Sequence, residues 1–422
     1  MAAAADPISS SVGTVPRPES IQPWSLAKRV AFRLVCLYWL LYLLPVARPI
    51  APWAAVHIFH LSGPVTRYQV TGSGDTTLDY IQNLIDLVLA IAGALLWSAL
   101  DWKRQGYSKL HPWLILLLRY SLAFTLFGYG FAKVFPQQFP YPNPVRMFER
   151  FGDFSPMGVL WSFMGASQPY TFFGGLMELL GAYLLLFRRT ATLGALVSAG
   201  VLLNVVVLNF CYDVPVKLFS TNLFLIAVTI ATPDAMRLIR LLVLRQSSGP
   251  LSVAGPVLEQ RWAGLAGVGI KIALIASVTG AHLYSGYRML QTAVLHPAHP
   301  PIYGIYDVES FVRDGKEVPP LTTDRRWRTF IATYPTSIQV KMIDDSTVLY
   351  GANYDLAGDS VTLKGSAIGA FQYTKPDADH LILDGKLDSN AVVVKLARID
   401  PGTRFLLMSR GFHWITEFPF NR

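Results

Sequence analysis

YTFFGGLMELLGAYLLLF, residues 170–187, holds one charged side chain, Glu178, in an otherwise apolar run that Arg188-Arg189 closes. At about 1.5 Å of helix rise per residue, a run of this length matches the ~30 Å hydrocarbon core of a bilayer. Six further runs of the same kind lie at 30–47, 81–100, 113–135, 191–210, 216–232 and 263–284, and after His296 they stop. Of the chain's 422 residues, 52% are hydrophobic and 15% charged. Soluble domains carry about 25% charged residues. The fold class that follows is a polytopic α-helical membrane bundle of about seven spans with a separate C-terminal domain.

The net charge of +9 divides unevenly. Residues 1–297 hold 22 Lys and Arg against 12 Asp and Glu, a balance of +10, and residues 298–422 hold 14 against 15, a balance of −1. The basic excess gathers at helix ends, where membrane topology demands it, so nucleic acid is not an expected partner and the lipid bilayer is. Lys28, Arg29 and Arg33, then Lys103, Arg104 and Lys109, then Arg188 and Arg189, then Arg237, Arg240, Arg245 and Arg261 all fall on one side. The positive-inside rule makes that side cytoplasmic. The N-terminus is then inside a cytoplasmic (inner) membrane, and the C-terminal domain is outside. The two cysteines, Cys36 and Cys211, both lie in or beside apolar runs, which excludes a disulfide framework.

The organisation reads as five parts. Residues 1–26, rich in Ala, Ser and Pro, form a disordered cytoplasmic tail with no cleavable signal peptide. Two transmembrane helices occupy 27–110, with Arg33 snorkelling to the inner surface. A four-helix membrane module covers 111–245, and a linker with the seventh helix covers 246–297. In the module, 136–169 either rests on lipid headgroups or re-enters the membrane, and 234–245 is either an interfacial helix or a continuation of the sixth span.

Residues 298–422 change period from helical to alternating: Ile338, Val340 and Met342 alternate with Gln339 and Lys341. Asp314-Gly315 and Asp384-Gly385 read as turn signals. The pattern predicts strands near 303–312, 328–334, 337–343, 346–356, 360–364, 368–373, 380–386, 391–399 and 404–408, making an all-β barrel or sandwich. Arg410 to Trp414 and Pro419 to Arg422 either line a barrel mouth for a small ligand or plug its end.

Charged and amide groups within spans cost roughly 2.5–3.5 kcal/mol for each ionised side chain, so each needs a reason. Counting helix rise from the outer ends places Glu178 about 12 Å deep, Asn204 about 9 Å, Asn222 at a similar depth and Asp86 about 7 Å. Lys133 closes the third span, and Asn209, Asp213 and Lys217 mark the turn between the fifth and sixth. Polar groups from five helices thus share the outer half of the membrane. Glu178 lies on one helix face with Gly174, Gly181 and Ala182, small residues that admit a neighbouring helix. Lys133, about 9 Å off in depth, and Arg119 are equal candidates for its partner. The eight histidines lack the spacing of a helical metal or haem site, and no cofactor motif is evident.

Gly128-Tyr129-Gly130-Phe131-Ala132-Lys133, Gly174-Gly175-Leu176-Met177-Glu178-Leu179-Leu180-Gly181 and Asn209-Phe210-Cys211-Tyr212-Asp213-Val214-Pro215-Val216-Lys217 follow one another at spacings that resemble the DoxX-like family of four-helix membrane modules, over about residues 111–243. Some members of that family are associated with thiosulfate–quinone oxidoreduction and others with thiol redox defence complexes. The resemblance matches Lys133, Glu178, Asn209, Asp213 and Lys217 by position and implies no settled catalytic set.

The expected function is therefore a redox-associated subunit that binds a small lipid-soluble molecule, with a quinone as the candidate ligand, in an outer-half intramembrane pocket. Its expected binding residues are Lys133, Glu178, Asn204, Asn209, Asp213, Lys217 and Asn222. Any catalysis would be shared with a membrane or extracytoplasmic redox protein, so the chain is at most a subunit of a membrane oxidoreductase system. An assembly protein docking through the outer β domain and a proton-coupled small-molecule transporter are the alternatives. For the last, no inverted repeat of broken helices is visible.

Overall fold

Helix starts follow local capping chemistry. Ser25 Oγ accepts from the Lys28 amide, and Thr76 and Asp79 exchange side-chain and backbone hydrogen bonds in a capping box. The computed structural model describes residues 23–247, 249, 260–321, 325–411, 413 and 414. Residues 1–22 of the tail, as well as Phe412 and Pro419 to Arg422, lie outside the described residues. The chain forms two compact units, Met1–Leu118 and Arg119–Arg422, which divide within one helix.

The first unit contains α1 (Leu26–Leu43), α2 (Ile50–His57), α3 (Thr77–Leu100) and the beginning of α4 (His111–Val134). Alanines and aliphatics of α2 and α3 (Ala51, Ala54, Ala55, Leu78 and Ile81) pack into one cluster. A Cβ on Gly93 would come 2.9 Å from Leu37, so α1 and α3 touch where that side chain is missing. Arg33 does not snorkel. It is buried, and its guanidinium donates to Tyr107 Oη at 2.7 Å, Ser98 Oγ at 2.8 Å and the Asp101 carbonyl at 2.9 Å. These three acceptors offset the cost of taking the charge out of water.

The second unit continues with α5 (Pro144–Met147), α6 (Pro156–Ala166), α7 (Gln168–Leu186), α8 (Ala191–Cys211), α9 (Lys217–Ala231), α10 (Ala235–Leu242) and α11 (Arg261–Met289). A 3₁₀ turn, Thr232–Asp234, separates α9 from α10, and a π-helical stretch carries α11 on to Leu295. Residues 136–169 contain α5 and α6. Leu160 and Met164 of α6 pack on Phe139 and on Val214, at the α8–α9 turn. Glycines set the helix contacts: a Cβ on Gly181 would meet Ser198 Oγ at 2.5 Å, and one on Gly194 would meet the Leu185 amide at 2.7 Å. α11 lies against this group through a Tyr183–Thr279 hydrogen bond of 2.9 Å and a Phe131–His282 ring stack at 5.1 Å.

Among the described residues, six helical stretches are long and apolar enough to cross a membrane: Thr77–Leu100, His111–Val134, Gln168–Leu186, Ala191–Cys211, Lys217–Leu242 and Trp262–Leu295. The sequence reading counts seven. The difference is α1, whose 18 residues carry Lys28, Arg29 and Arg33.

The C-terminal domain is a closed eight-stranded antiparallel barrel. Strands β1 (Gly304–Arg313), β3 (Trp327–Tyr334), β4 (Ser337–Met342), β5 (Thr347–Asp355), β6 (Ser360–Lys364), β7 (Ile368–Thr374), β8 (His380–Leu387) and β9 (Asn390–Arg398) run as a meander, and β9 pairs back onto β1. The two-residue β2 (Lys316–Glu317) hangs on β1 beyond the Asp314-Gly315 turn, where both residues have left-handed φ. Trp327, Phe311, Phe330, Phe371 and Tyr350 fill the interior.

Two readings of this domain need correction. Asp384-Gly385 is no turn but lies inside β8, where a Cβ on Gly385 would come 2.0 Å from the Ala370 carbonyl oxygen. Residues 404–408 form no strand: β9 already closes on β1, Asp400 with Pro401 starts the short helix α12 (Pro401–Arg404), and α13 (Leu406–Ser409) follows it.

Candidate functional site

Close helix approach brings Lys133 and Glu178 together. A Cβ on Gly175 would come 2.7 Å from the Gly130 carbonyl oxygen and 2.9 Å from Lys133 Cβ, so α7 meets the end of α4 backbone to backbone. Lys133 leaves α4 beside this contact, and Glu178 lies almost one turn further along α7. Lys133 Nζ lies 3.0 Å from each carboxylate oxygen of Glu178. The two side chains are 9% and 4% exposed, so the pair is sealed inside the bundle.

The expected 9 Å depth difference between Lys133 and Glu178 is absent, because the helix ends are not level. Val134, the last residue of α4, stands opposite Gly175, so the first turns of α7 run past the end of α4. There Gln168 donates to the carbonyls of Phe139 and Gly165, both at 3.0 Å. Arg119, the alternative partner, is buried elsewhere and donates Nε to the Leu185 carbonyl at 2.8 Å, two turns further along α7.

Around the pair, the Tyr129 ring lies 5.5 Å from Lys133 Nζ and leans on Phe219 of α9 at 6.2 Å. Tyr129 is itself partly exposed on the bundle surface. An ammonium has three N–H donors. One is donated to Glu178 Oε2, with Oε1 at ion-pair distance, and among the described residues no acceptor outside Glu178 takes another.

The other expected site residues are scattered rather than convergent. Asn209 is buried and donates to Ser220 Oγ at 3.0 Å, tying α8 to α9. Asn222 is buried and donates to the Leu218 carbonyl at 3.0 Å. Asp213 has a left-handed φ of 50° at the α8–α9 turn, and Lys217 pairs with its exposed carboxylate at 2.8 Å. Asn204 is exposed on α8, turned away from the buried face of Ser198, Leu202 and Asn209. Asp86 belongs to the first unit, where Gln82 donates to it at 2.8 Å.

Two clusters escape sequence reasoning. Buried Asp234 accepts from Thr192 Oγ1 at 2.6 Å and pairs with Arg237 at 2.8 Å; its signal was an Asp three residues ahead of an arginine. The second joins the barrel to the connection between α4 and α6. Asp345, in the β4–β5 turn, takes Arg150, Arg328 at 2.8 Å and Lys341 at 3.6 Å, and Lys341 also donates to the Phe148 carbonyl. Burial raises the Asp345 carboxyl, but Lys341, Arg150 and Arg328 outweigh it and hold the group below the ordinary carboxylate range. A cavity of about 500 Å³ opens beside it, lined by Asn143, Arg146, Glu149 and Gln339 among others. The sequence separation of 195 between Arg150 and Asp345 hides this cluster from any motif. Among the described residues, no group of three or more His, Cys, Asp or Glu is placed to hold a metal ion.

Over 116 residues the chain is 37% identical to the uncharacterized protein YwoB of Bacillus subtilis (strain 168); the match spans 28% of this chain and 73% of YwoB. No family profile matches the chain. No solved structure matches it either.

Proposed function

The chain belongs to the same family as YwoB of Bacillus subtilis, and we propose that it is a multi-pass membrane protein of DoxX-like plan whose buried Lys133–Glu178 pair binds a small lipid-soluble molecule for an associated redox system. The observation that carries this reading is the pair itself: two opposite charges in an apolar bundle, one with a donor to spare, beside a tyrosine at the bundle surface. Intramembrane charges are functional by default, because each must repay its desolvation. A carbonyl oxygen of a ligand such as a quinone accepts from a spare Lys133 N–H while its ring lies along Tyr129. Glu178 then keeps the ammonium charged and in place.

In this reading α4, α7, α8 and α9 are the four-helix core. α1 is a seventh span, because hydrogen bonding inside its own unit satisfies Arg33. The cations of the α3–α4 and α7–α8 connections and of α10 face the cytoplasm of an inner membrane, and the barrel lies outside. The barrel core is packed with aromatic side chains, which favours a docking role for its surface over a ligand inside it. A purely assembling role, with the ion pair as glue between α4 and α7, is the second reading, favoured by the Gly130–Gly175 contact.

Mass spectrometry of the protein, purified gently from its native membrane, separates the two. The expected result is a quinone-class molecule near one per chain that Glu178→Gln loses while the helices stay folded. Absence of any ligand, with a polypeptide partner retained through the barrel, makes the pair structural and the chain an assembly protein.

A further inference from the structure

The short helices after the last strand present apolar side chains to the outside. Leu406 and Leu407 of α13 are 54% and 59% exposed, and Phe151, in the connection between α4 and α6, is 79% exposed. They are not scattered: all three line one groove of about 330 Å³, with Phe405, Arg146 and Arg404 among its other walls. Phe405 holds the barrel end to that connection through an edge-on ring contact with Phe148 at 5.1 Å. Single apolar side chains such as Leu349, Leu356 and Ile368 are exposed elsewhere on the barrel, but these three share one groove, and such a contiguous rim gains nothing in water.

We propose that this rim is a membrane foot: Phe151, Leu406 and Leu407 insert into the interfacial layer of the bilayer that the helices span, with a lipid phosphate at Arg404, while Arg146 stays paired with Glu149 of the same groove at 2.8 Å. Two observations select lipid over a protein partner. The first is continuity. Ser162 of α6 forms another wall of the groove. Its neighbour Phe163 stacks edge-on to Tyr170 at the start of α7, at 5.5 Å, and both rings are exposed. That is the aromatic belt of a helix emerging from a membrane, so the foot joins a surface that already meets lipid. The second is composition: leucine and phenylalanine beside arginine, with the apolar groups protruding, is the make-up of interfacial segments that lie in the headgroup region. The inference rests on the reading of α4 and α7 as spanning helices.

Nitroxide labels on single cysteines test it in the full chain, in vesicles of phosphatidylethanolamine and phosphatidylglycerol. Cys211 is the exposed native cysteine and is replaced as Cys211→Ser, while Cys36 is buried. Labels at Phe151→Cys, Leu406→Cys and Leu407→Cys are compared with Leu356→Cys, exposed just beyond β5, and with Phe173→Cys, exposed on α7. Collisions with oxygen report lipid, and collisions with a water-soluble nickel chelate report solvent. The expected result is loss of nickel collisions at the three foot positions relative to Leu356→Cys, with oxygen collisions approaching those at Phe173→Cys. Foot labels as open to nickel as Leu356→Cys, with Phe173→Cys in lipid, overturn the foot alone. Phe173→Cys open to nickel overturns the spanning reading and the foot with it.

Discussion

At the scale of single residues, the Lys133–Glu178 pair is both the best candidate for chemistry and a burden on stability. Removing one partner strands the other charge in an apolar bundle, whereas removing both leaves nothing unpaired. Glu178→Gln is therefore expected to lower the bundle's stability by about 3–5 kcal/mol, a drop in melting temperature that leaves the helices folded under purification conditions. Lys133→Met/Glu178→Leu, similar in volume and uncharged, is expected to match or exceed the native stability by up to about 4 kcal/mol. Thermal melts in detergent measure both. If the double variant is stable but binds no ligand, the pair is kept for binding. A double variant as unstable as the single one assigns the pair to folding.

Much of this site was legible residue by residue, because a carboxylate in an apolar run is conspicuous wherever it lies. What was not legible was its surroundings. The choice between Lys133 and Arg119 turned on where α7 begins relative to the end of α4, and apolar runs do not record that offset. Asn204 shows the converse: its depth along α8 was countable, but it lies on the exposed face. Arg33 looked like a snorkelling cation because its acceptors, Ser98, Asp101 and Tyr107, are 65 to 74 residues away.

At the scale of elements, missing side chains decide how helices and strands approach. Gly174 and Gly175 are adjacent on α7 yet face different surroundings. A Cβ on Gly174 would meet nothing nearer than Lys133 Cδ at 4.0 Å, and one on Gly175 would strike the backbone of α4. Gly174→Ala is thus expected to be neutral or to stabilise by up to about 1 kcal/mol, through helix propensity. Gly175→Ala should destabilise by about 1–3 kcal/mol as α4 is pushed away. Opposite signs in one set of melts support the contact, and equal effects refute it.

Gly385 makes the same point in the barrel, where the Ala370 carbonyl and Phe371 Cα leave no room for a methyl group between β7 and β8. Gly385→Ala is expected to cost about 1–3 kcal/mol, measured as the barrel's unfolding midpoint in urea. The alternation of Ile338, Val340 and their neighbours made most strands legible, since a two-residue period needs no knowledge of partners. Asp384-Gly385 carries the residue types of a turn, and only the approach of β7 explains that glycine. Whether eight strands close into a barrel or split into a sandwich depends on the pairing of β1 with β9, which no local pattern encodes.

At the scale of the whole C-terminal unit, one carboxylate fastens the barrel to the connection between α4 and α6. Asp345 takes Arg150 from the connection between α4 and α6 and Arg328 and Lys341 from the barrel, so its charge holds segments far apart in sequence. Those cations keep its carboxyl below the ordinary value of about 3.9. A group whose folded pKa is lowered contributes its full stability above the ordinary value and loses it as pH falls through the lowered one. The fastening is therefore complete at neutral pH and fails only in strong acid. His380 has the opposite sign. Its hydrogen bond to Asp377 raises it above the ordinary imidazole value, so its contribution is present below about 6.5 and is lost as pH rises through the raised value. Because Asp345 is partly exposed, salt also weakens its contacts.

Amide hydrogen exchange, corrected for intrinsic rates at each pH, reads this directly in residues 144–153 and in the β4–β5 turn, residues 343–346. Wild type should keep both segments protected from neutral pH down to about 4 and lose protection below it. Asp345→Asn should lose that protection at every pH, with the strands of the barrel unchanged. Protection in the variant equal to wild type at neutral pH would mean that Phe148, through Phe405 and Lys341, holds the barrel end without the carboxylate.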